Sequence, residues 1–120
     1  MKKASEYHKQ GYTCGEAMIK AYNEKNNTNI PISLGSGMGA GFTSGSMCGA
    51  VGAANIIIGF SKGRKNDTEE NEARKYAKQL MEEVRGKHNT EICKDLKKNG
   101  ISCADIIEHT FESLDKILNE

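Results

Sequence analysis

From about Met47 to Phe60 the chain is apolar nearly all the way round. Ala50, Val51, Ala53, Ala54, Ile56, Ile57 and Ile58 leave no polar face. A helix of that kind must be covered on every side, which predicts a central, buried helix. The isoleucine run also suits a buried strand, but the segment's length and its Ala and Gly content favour helix. The fold class expected is all-α: a single-domain helical bundle of about five helices, residues 1–120, packed round that central helix with a Gly-rich loop leading into it. A chain of this length builds a hydrophobic core without disulfide staples.

The other segments supply the covering faces. Ser5 to Glu24 has helical character with a break near Gly11, after which Ala17, Met18, Ala21 and Tyr22 recur at helical spacing. Asn23 to Pro31 reads as a polar loop, and Leu34 to Gly45 as the glycine-rich stretch. Asp67-Thr68-Glu69-Glu70 has the form of a capping box opening the next helix. Ala73, Tyr76, Ala77, Leu80, Met81 and Val84 then follow the i, i+3, i+4, i+7 rule, and Gly86 reads as its C-terminal stop. The Tyr76, Leu80, Met81 stripe is core, or a homodimer face if it is left exposed. A short helix is expected from Thr90 to Lys98, and a last one from Cys103 to Leu118 with Ile106, Ile107, Thr110, Phe111, Leu114 and Ile117 on one stripe.

A net charge of +1 supplies no electrostatic reason to bind nucleic acid or an anionic membrane. The Ala50–Phe60 run is too short to span a bilayer, and the first eight residues carry charge but no apolar h-region. The location expected is cytoplasmic. In a reducing cytosol structural disulfides are rare, so four cysteines read either as redox-active or metal-binding groups or as small buried hydrophobes.

The placement of those cysteines is more specific than their number. Thr13-Cys14-Gly15-Glu16 is a capping box, and Ser102-Cys103-Ala104-Asp105 is a weaker form of one. Cys48 follows Ser46 by two positions and Cys93 follows Thr90 by three, both plausible caps. Each thiol is therefore expected in the first turn of a helix, where unpaired N–H groups and the macrodipole favour thiolate. One terminus contributes about 0.3–1 kcal/mol, enough to lower a thiol pKa from about 8.5 to about 7.8. There is no Cys-x-x-Cys, so any common site must be assembled by the fold, with several helices starting at one end of the bundle. Four adjacent thiolates would repel one another. Two chemistries relieve that: a reversible dithiol/disulfide centre, or a thiolate-bound metal or iron–sulfur cluster.

Cys48-Gly49-Ala50-Val51-Gly52-Ala53, following a Gly-rich loop, resembles the Cys-Gly-Ala-x-x-Gly motif of the C_GCAxxG_C_C family of redox-active proteins. One cysteine precedes the motif (Cys14) and two follow it (Cys93, Cys103), which is the family's order, and the resemblance covers about residues 5 to 118. Ala53 stands where the family has its final glycine, with Gly52 one place earlier. The resemblance implies a small cytoplasmic redox protein and supplies no reaction; the cysteine chemistry itself suggests a thiol–disulfide oxidoreductase with a redox partner protein. Cys14, Cys48, Cys93 and Cys103 would be its catalytic thiols, or on the alternative reading its iron–sulfur or zinc ligands. Cys48, flanked by glycine and on the buried helix, is the expected lead thiol. Cys93 and Cys103, nearest in sequence, are the expected disulfide pair, although four cysteines allow three pairings.

Other features carry less. The glycine-rich loop lacks Gly-Lys-Ser/Thr and misses G-x-G-x-x-G at its third glycine, so it reads as a tight loop allowing close backbone approach near Cys48. His8, His88 and His109 read as solvent-facing, and Lys94, Lys97 and Lys98 as a solvated face beside Cys93. No Ser-His-Asp set or carboxylate pair stands out.

Overall fold

Helix α1 (Ala4–Gln10) stops at Gly11, whose φ of 119° lies in the left-handed region open to glycine. Thr13 then restarts the chain as α2 (Cys14–Asn26). Its hydroxyl accepts from the Glu16 N–H, and the Glu16 carboxylate accepts from the Thr13 N–H at 2.8 Å. The capping box read in the sequence is formed in full. The computed structural model describes residues 3–119, so Met1 and Lys2, part of the N-terminal stretch considered above, lie outside the described residues.

After α2 come a 3-10 segment (Ile32–Met38) and an irregular turn through Gly45. Then follow α3 (Gly49–Lys62), α4 (Ala73–His88), α5 (Cys93–Lys98) and α6 (Cys103–Leu118). Among the described residues there are six α-helices, one more than expected, and no strand beyond an isolated antiparallel bridge between Met47 and Ile92. The fold is all-α.

Helix α3 is the central one, as its composition requires: it packs against α2, α4 and α6. Val51, Ala53, Ala54 and Ile57 are fully buried. Its small residues let neighbours approach closely. A Cβ at Gly52 would lie 2.7 Å from the Phe42 ring. Gly52 rather than Ala53 is the position of the last glycine when the Gly-Cys-Ala-x-x-Gly of the family's name is counted from Cys48; Ala53 is accommodated in the core. A Cβ at Gly35 would stand 2.5 Å from the backbone of Gly15 and Glu16, so the 3-10 segment lies directly on the start of α2, and through Met38 it also meets the start of α3.

Several boundaries differ from the sequence reading: α2 runs on to Asn26, α5 begins at Cys93 rather than Thr90, and three others have a local reason. Thr68 and Glu69 do not open α4. Asn66 Oδ1 accepts from the Thr68 N–H and hydroxyl, and Glu69 accepts from the Lys65 N–H, so these side chains close a turn and α4 begins at Ala73. Gly86 does not end α4. Asn89, with φ of 66°, takes the left-handed cap, and the helix runs to His88. Helix α3 starts at Gly49, which makes Cys48 its N-cap rather than a first-turn residue.

The extension of α4 corrects a second expectation. His88 continues the Leu80, Val84 stripe and is buried, 8% exposed, instead of facing solvent. Its ring stacks on His109 of α6 at a centroid distance of 5.2 Å, with His109 Nδ1 3.3 Å from His88 Nε2. Burial lowers the His88 pKa. The His109 and Lys87 charges lower it further, while Asp105 opposes them. A depressed histidine contributes stability that is whole above the unfolded pKa of about 6.5 and is lost as pH falls through the folded value. The unfolding free energy from urea titrations should therefore fall as pH drops below about 6.5, by at most about 1.4 kcal/mol per pH unit from this residue. In His88→Gln that limb should flatten; an unchanged limb would assign it to the carboxylates.

Candidate functional site

A cavity of about 260 Å³ is lined by Cys14, Cys48, Cys93 and Cys103 together. Cys14, Cys93 and Cys103 are the first residues of α2, α5 and α6, and Cys48 caps α3. Four helix starts thus meet at one place, which is the convergence the sequence required of any common site. All four cysteines are free thiols.

Different devices set each thiol. Cys14 is fixed by the Thr13–Glu16 box and by the Thr13 hydroxyl, which also donates to the Gly35 carbonyl at 2.8 Å. Its S–H donates to the Met38 carbonyl at 3.9 Å. Cys48 and Cys93 are fixed together: the Cys48 N–H donates to Glu91 O at 2.8 Å, and the Cys93 N–H to Ser46 O at 2.6 Å. With the Met47–Ile92 bridge between them, these bonds clamp the start of α3 to the start of α5. The caps expected from Ser46 and Thr90 are not made; Ser46 uses its backbone in the clamp, and the Thr90 hydroxyl accepts from the Ile92 N–H. Cys103 is positioned by Ser102, whose hydroxyl accepts from Asp105 N at 3.1 Å.

The glycine-rich stretch performs the role read for it, close backbone approach. A Cβ at Gly41 would stand 2.5 Å from that of Cys93. One at Gly49 would lie 2.6 Å from Cys14 Sγ and nearer still to the Met38 carbonyl oxygen. Ala40, Gly41, Phe42 and Thr43 all have φ between 52° and 65°, a left-handed turn built largely from residues that disfavour it. Its first residue, Ala40, forms part of the cavity wall and directs its N–H toward Cys14.

The electrostatics reverse the expectation drawn from helix dipoles. Burial pushes the Cys48 thiol up to about 11, with Cys14 and Cys93 adding to the rise, while the Ala50 and Val51 N–H groups at the start of α3 pull against it. Burial also raises Cys14, reinforced by Cys103 and opposed by the Gly15, Cys14 and Ala40 N–H groups. The amide contributions have the predicted sign, but desolvation of a nearly covered sulfur outweighs them. Cys48 and Cys14 are protonated at neutral pH. The repulsions acting on the two buried thiols run Cys14–Cys103, Cys14–Cys48 and Cys48–Cys93, so each has a partly exposed cysteine beside it.

Other residues complete the wall. Leu96, Ile101 and Ile106 make it apolar, and Lys97 is its one charged side chain among the described residues. His8 also lines it, half-buried, with Nδ1 3.0 Å from Tyr12 O. The sequence reading took His8 as solvent-facing and Lys97 as part of a solvated face. His8 is instead half-buried on the cavity wall, while Lys97 is exposed as expected and also borders the cavity, which nothing local in the chain marks. Lys94 and Lys98 are exposed, as expected.

Fold and cavity together define a class: an all-α protein whose four thiols converge on one site. Residues 12–117 match the family described as "Putative redox-active protein (C_GCAxxG_C_C)", and the chain belongs to that family. No curated protein and no solved structure shows significant similarity to it.

Proposed function

We propose that this chain acts as one four-cysteine domain, a cytoplasmic thiol–disulfide redox protein. In it Cys14, Cys48, Cys93 and Cys103 store electron pairs by closing and opening disulfides. The observation that carries this reading is the single cavity into which four separate helix starts deliver four thiols. Each couple converts two thiols to one disulfide with release of two protons and two electrons. Partly exposed Cys93 and Cys103 are the thiols that a reactant meets first, and buried Cys48 and Cys14 stand behind them as resolving groups. Cys48 thus becomes the inner thiol of a couple rather than the attacking one. Among the described residues no helix is long and apolar enough to cross a membrane.

The alternative is a zinc or iron–sulfur module with the same four cysteines as its ligands. Among the described residues no three His, Cys, Asp or Glu side chains are grouped so that they could hold a metal ion, so the donors do not fit such a centre as they stand. The deciding experiment equilibrates anaerobically purified protein in glutathione buffers from about −300 to −150 mV and counts thiols by alkylation and mass. Thiols should disappear in pairs, and Cys48→Ser should lose one couple. Four thiols that stay free across the range would end the proposal, and a coloured protein with stoichiometric iron would replace it with the cluster reading.

A further inference from the structure

The shape and charge of the cavity bear on what reacts there, given the thiol–disulfide reading on which this inference rests. Its volume of about 260 Å³ corresponds to roughly nine waters at ~30 Å³ each, the space of a ligand with on the order of ten non-hydrogen atoms. Cys14 and Cys48 are 7% and 4% exposed, so a reactant meets the partly exposed Cys93 and Cys103 before them. The walls beside the thiols are apolar, from Leu96, Ile101 and Ile106. The one charge among the lining residues is the cation Lys97, on α5 and one helical turn beyond Cys93. Lys97 is itself exposed, so its charge acts partly in solvent and a contact with it has the modest worth of a surface ion pair. A small molecule with a short aliphatic body, a sulfur and a carboxylate matches every wall.

We propose that the oxidant consumed in this cavity is a low-molecular-weight disulfide bearing carboxylates, with Lys97 the residue that receives a carboxylate. Cys93 or Cys103 attacks one sulfur of the bound R–S–S–R, forming a mixed disulfide as the first R–S⁻ leaves and takes up the thiol proton. The buried neighbour, Cys48 behind Cys93 or Cys14 behind Cys103, then attacks the protein sulfur of the mixed disulfide. That step closes the protein disulfide and expels the second R–SH. One small disulfide is reduced to two thiols, and two protein thiols are oxidised to one disulfide. A dithiol reductant from the redox partner reopens it.

The test mixes pre-reduced full-length protein with four probes and follows thiol loss with time. The probes are 3,3′-dithiodipropionate (dianionic), 2-hydroxyethyl disulfide (neutral), cystamine (dicationic), and a disulfide-looped peptide too large for the cavity. Each rate is divided by that of the same probe with a free thiol such as glutathione, which removes differences between leaving thiols. On that scale the dianion should react about two- to fivefold faster than the neutral compound, cystamine should be slower than both, and the peptide slowest. Lys97→Gln, at an exposed position, should bring the ratio of dianion to neutral rates to about one, while Lys98→Gln should leave that ratio as it is. Equal rates for cystamine and the dianion, an unchanged ratio in Lys97→Gln, or a faster reaction with the peptide would overturn the substrate class while leaving the redox centre standing. No thiol loss with any probe would overturn the redox centre and the substrate class together.

Discussion

Gly49→Ala should unfold at a temperature roughly 12 °C lower than the parent protein, through a loss of about 3 kcal/mol. Gly49 is the first residue of α3, and the space a Cβ would need is already taken by the Met38 carbonyl and by Cys14 Sγ. A flexible side-chain tip can move aside cheaply; a backbone carbonyl held in the 3-10 segment cannot, which puts the cost at the upper end for overpacking. The substitution also strikes the site. To relieve the contact, Cys14 must move from the Met38 carbonyl it bonds or α3 must retreat, and either movement separates Cys14 from Cys48. Loss of stability should therefore come with loss of a redox couple in the glutathione titration. Gly59→Ala is the control on the same helix: no atom lies within 4 Å of its added Cβ. Removing glycine from an open helical position should be neutral or stabilising by about 0.5–1 kcal/mol. Equal melting temperatures for Gly49→Ala and Gly59→Ala would show that α3 does not press on Cys14 as described.

Raising the pH from 8 to 11 should remove about 2–3 kcal/mol of stability from the reduced protein through Cys48. Its folded pKa of about 11 lies above the ordinary thiol value of 9.0. A raised value means that the folded state holds the proton more tightly. The contribution is whole below the unfolded pKa and is lost as pH climbs through the folded one, a window from about pH 9 to about pH 11. Cys14 is raised in the same direction and deepens the fall. Tyr7, hydrogen-bonded to Glu24 and raised to about 12, also acts in alkali and must be separated out. Urea midpoints under strong reductant at pH 8, 9, 10 and 11 provide the measurement, with Cys14→Ala/Cys48→Ala as the variant that retains only the tyrosine part. If the double variant falls as steeply as the parent, the buried thiols are not the source. Oxidised protein supplies a second comparison, because a sulfur in a disulfide has no proton to lose.

Much of the architecture was legible along the chain. The apolar circumference of α3 forces it to the centre whatever surrounds it, since each exposed isoleucine would forfeit about 1.5–3 kcal/mol. The Thr13–Glu16 box and the Ser102 cap are four-residue devices whose partners lie within one turn, so they form where the sequence places them. Where two local devices compete, the pattern misleads. Asn66 offered Thr68 a turn and delayed α4, and Asn89 supplied the left-handed cap for which Gly86 had been read. His88 was misread for the same reason. Its i+4 spacing from Val84 marks it as a core position once α4 is known to pass Gly86.

The sequence by itself determined that Cys14 and Cys103 would stand at helix starts and that the helices would surround a buried one, because the Thr13 and Ser102 caps and amphipathicity are encoded within a few residues. Cys48 and Cys93 were placed at theirs by the long-range clamp instead. The acid–base character of those thiols was decided only by the tertiary structure. A helix terminus acts on its own cysteine at a short distance and can be read from the chain. Desolvation depends on what every other element lays over the sulfur. The 3-10 segment over Cys14 and the Ser46–Glu91 clamp over Cys48 come from parts of the chain remote from those cysteines. Burial by these remote elements outweighed the local dipole and turned four reactive-looking helix starts into two protonated inner thiols with two partly exposed neighbours.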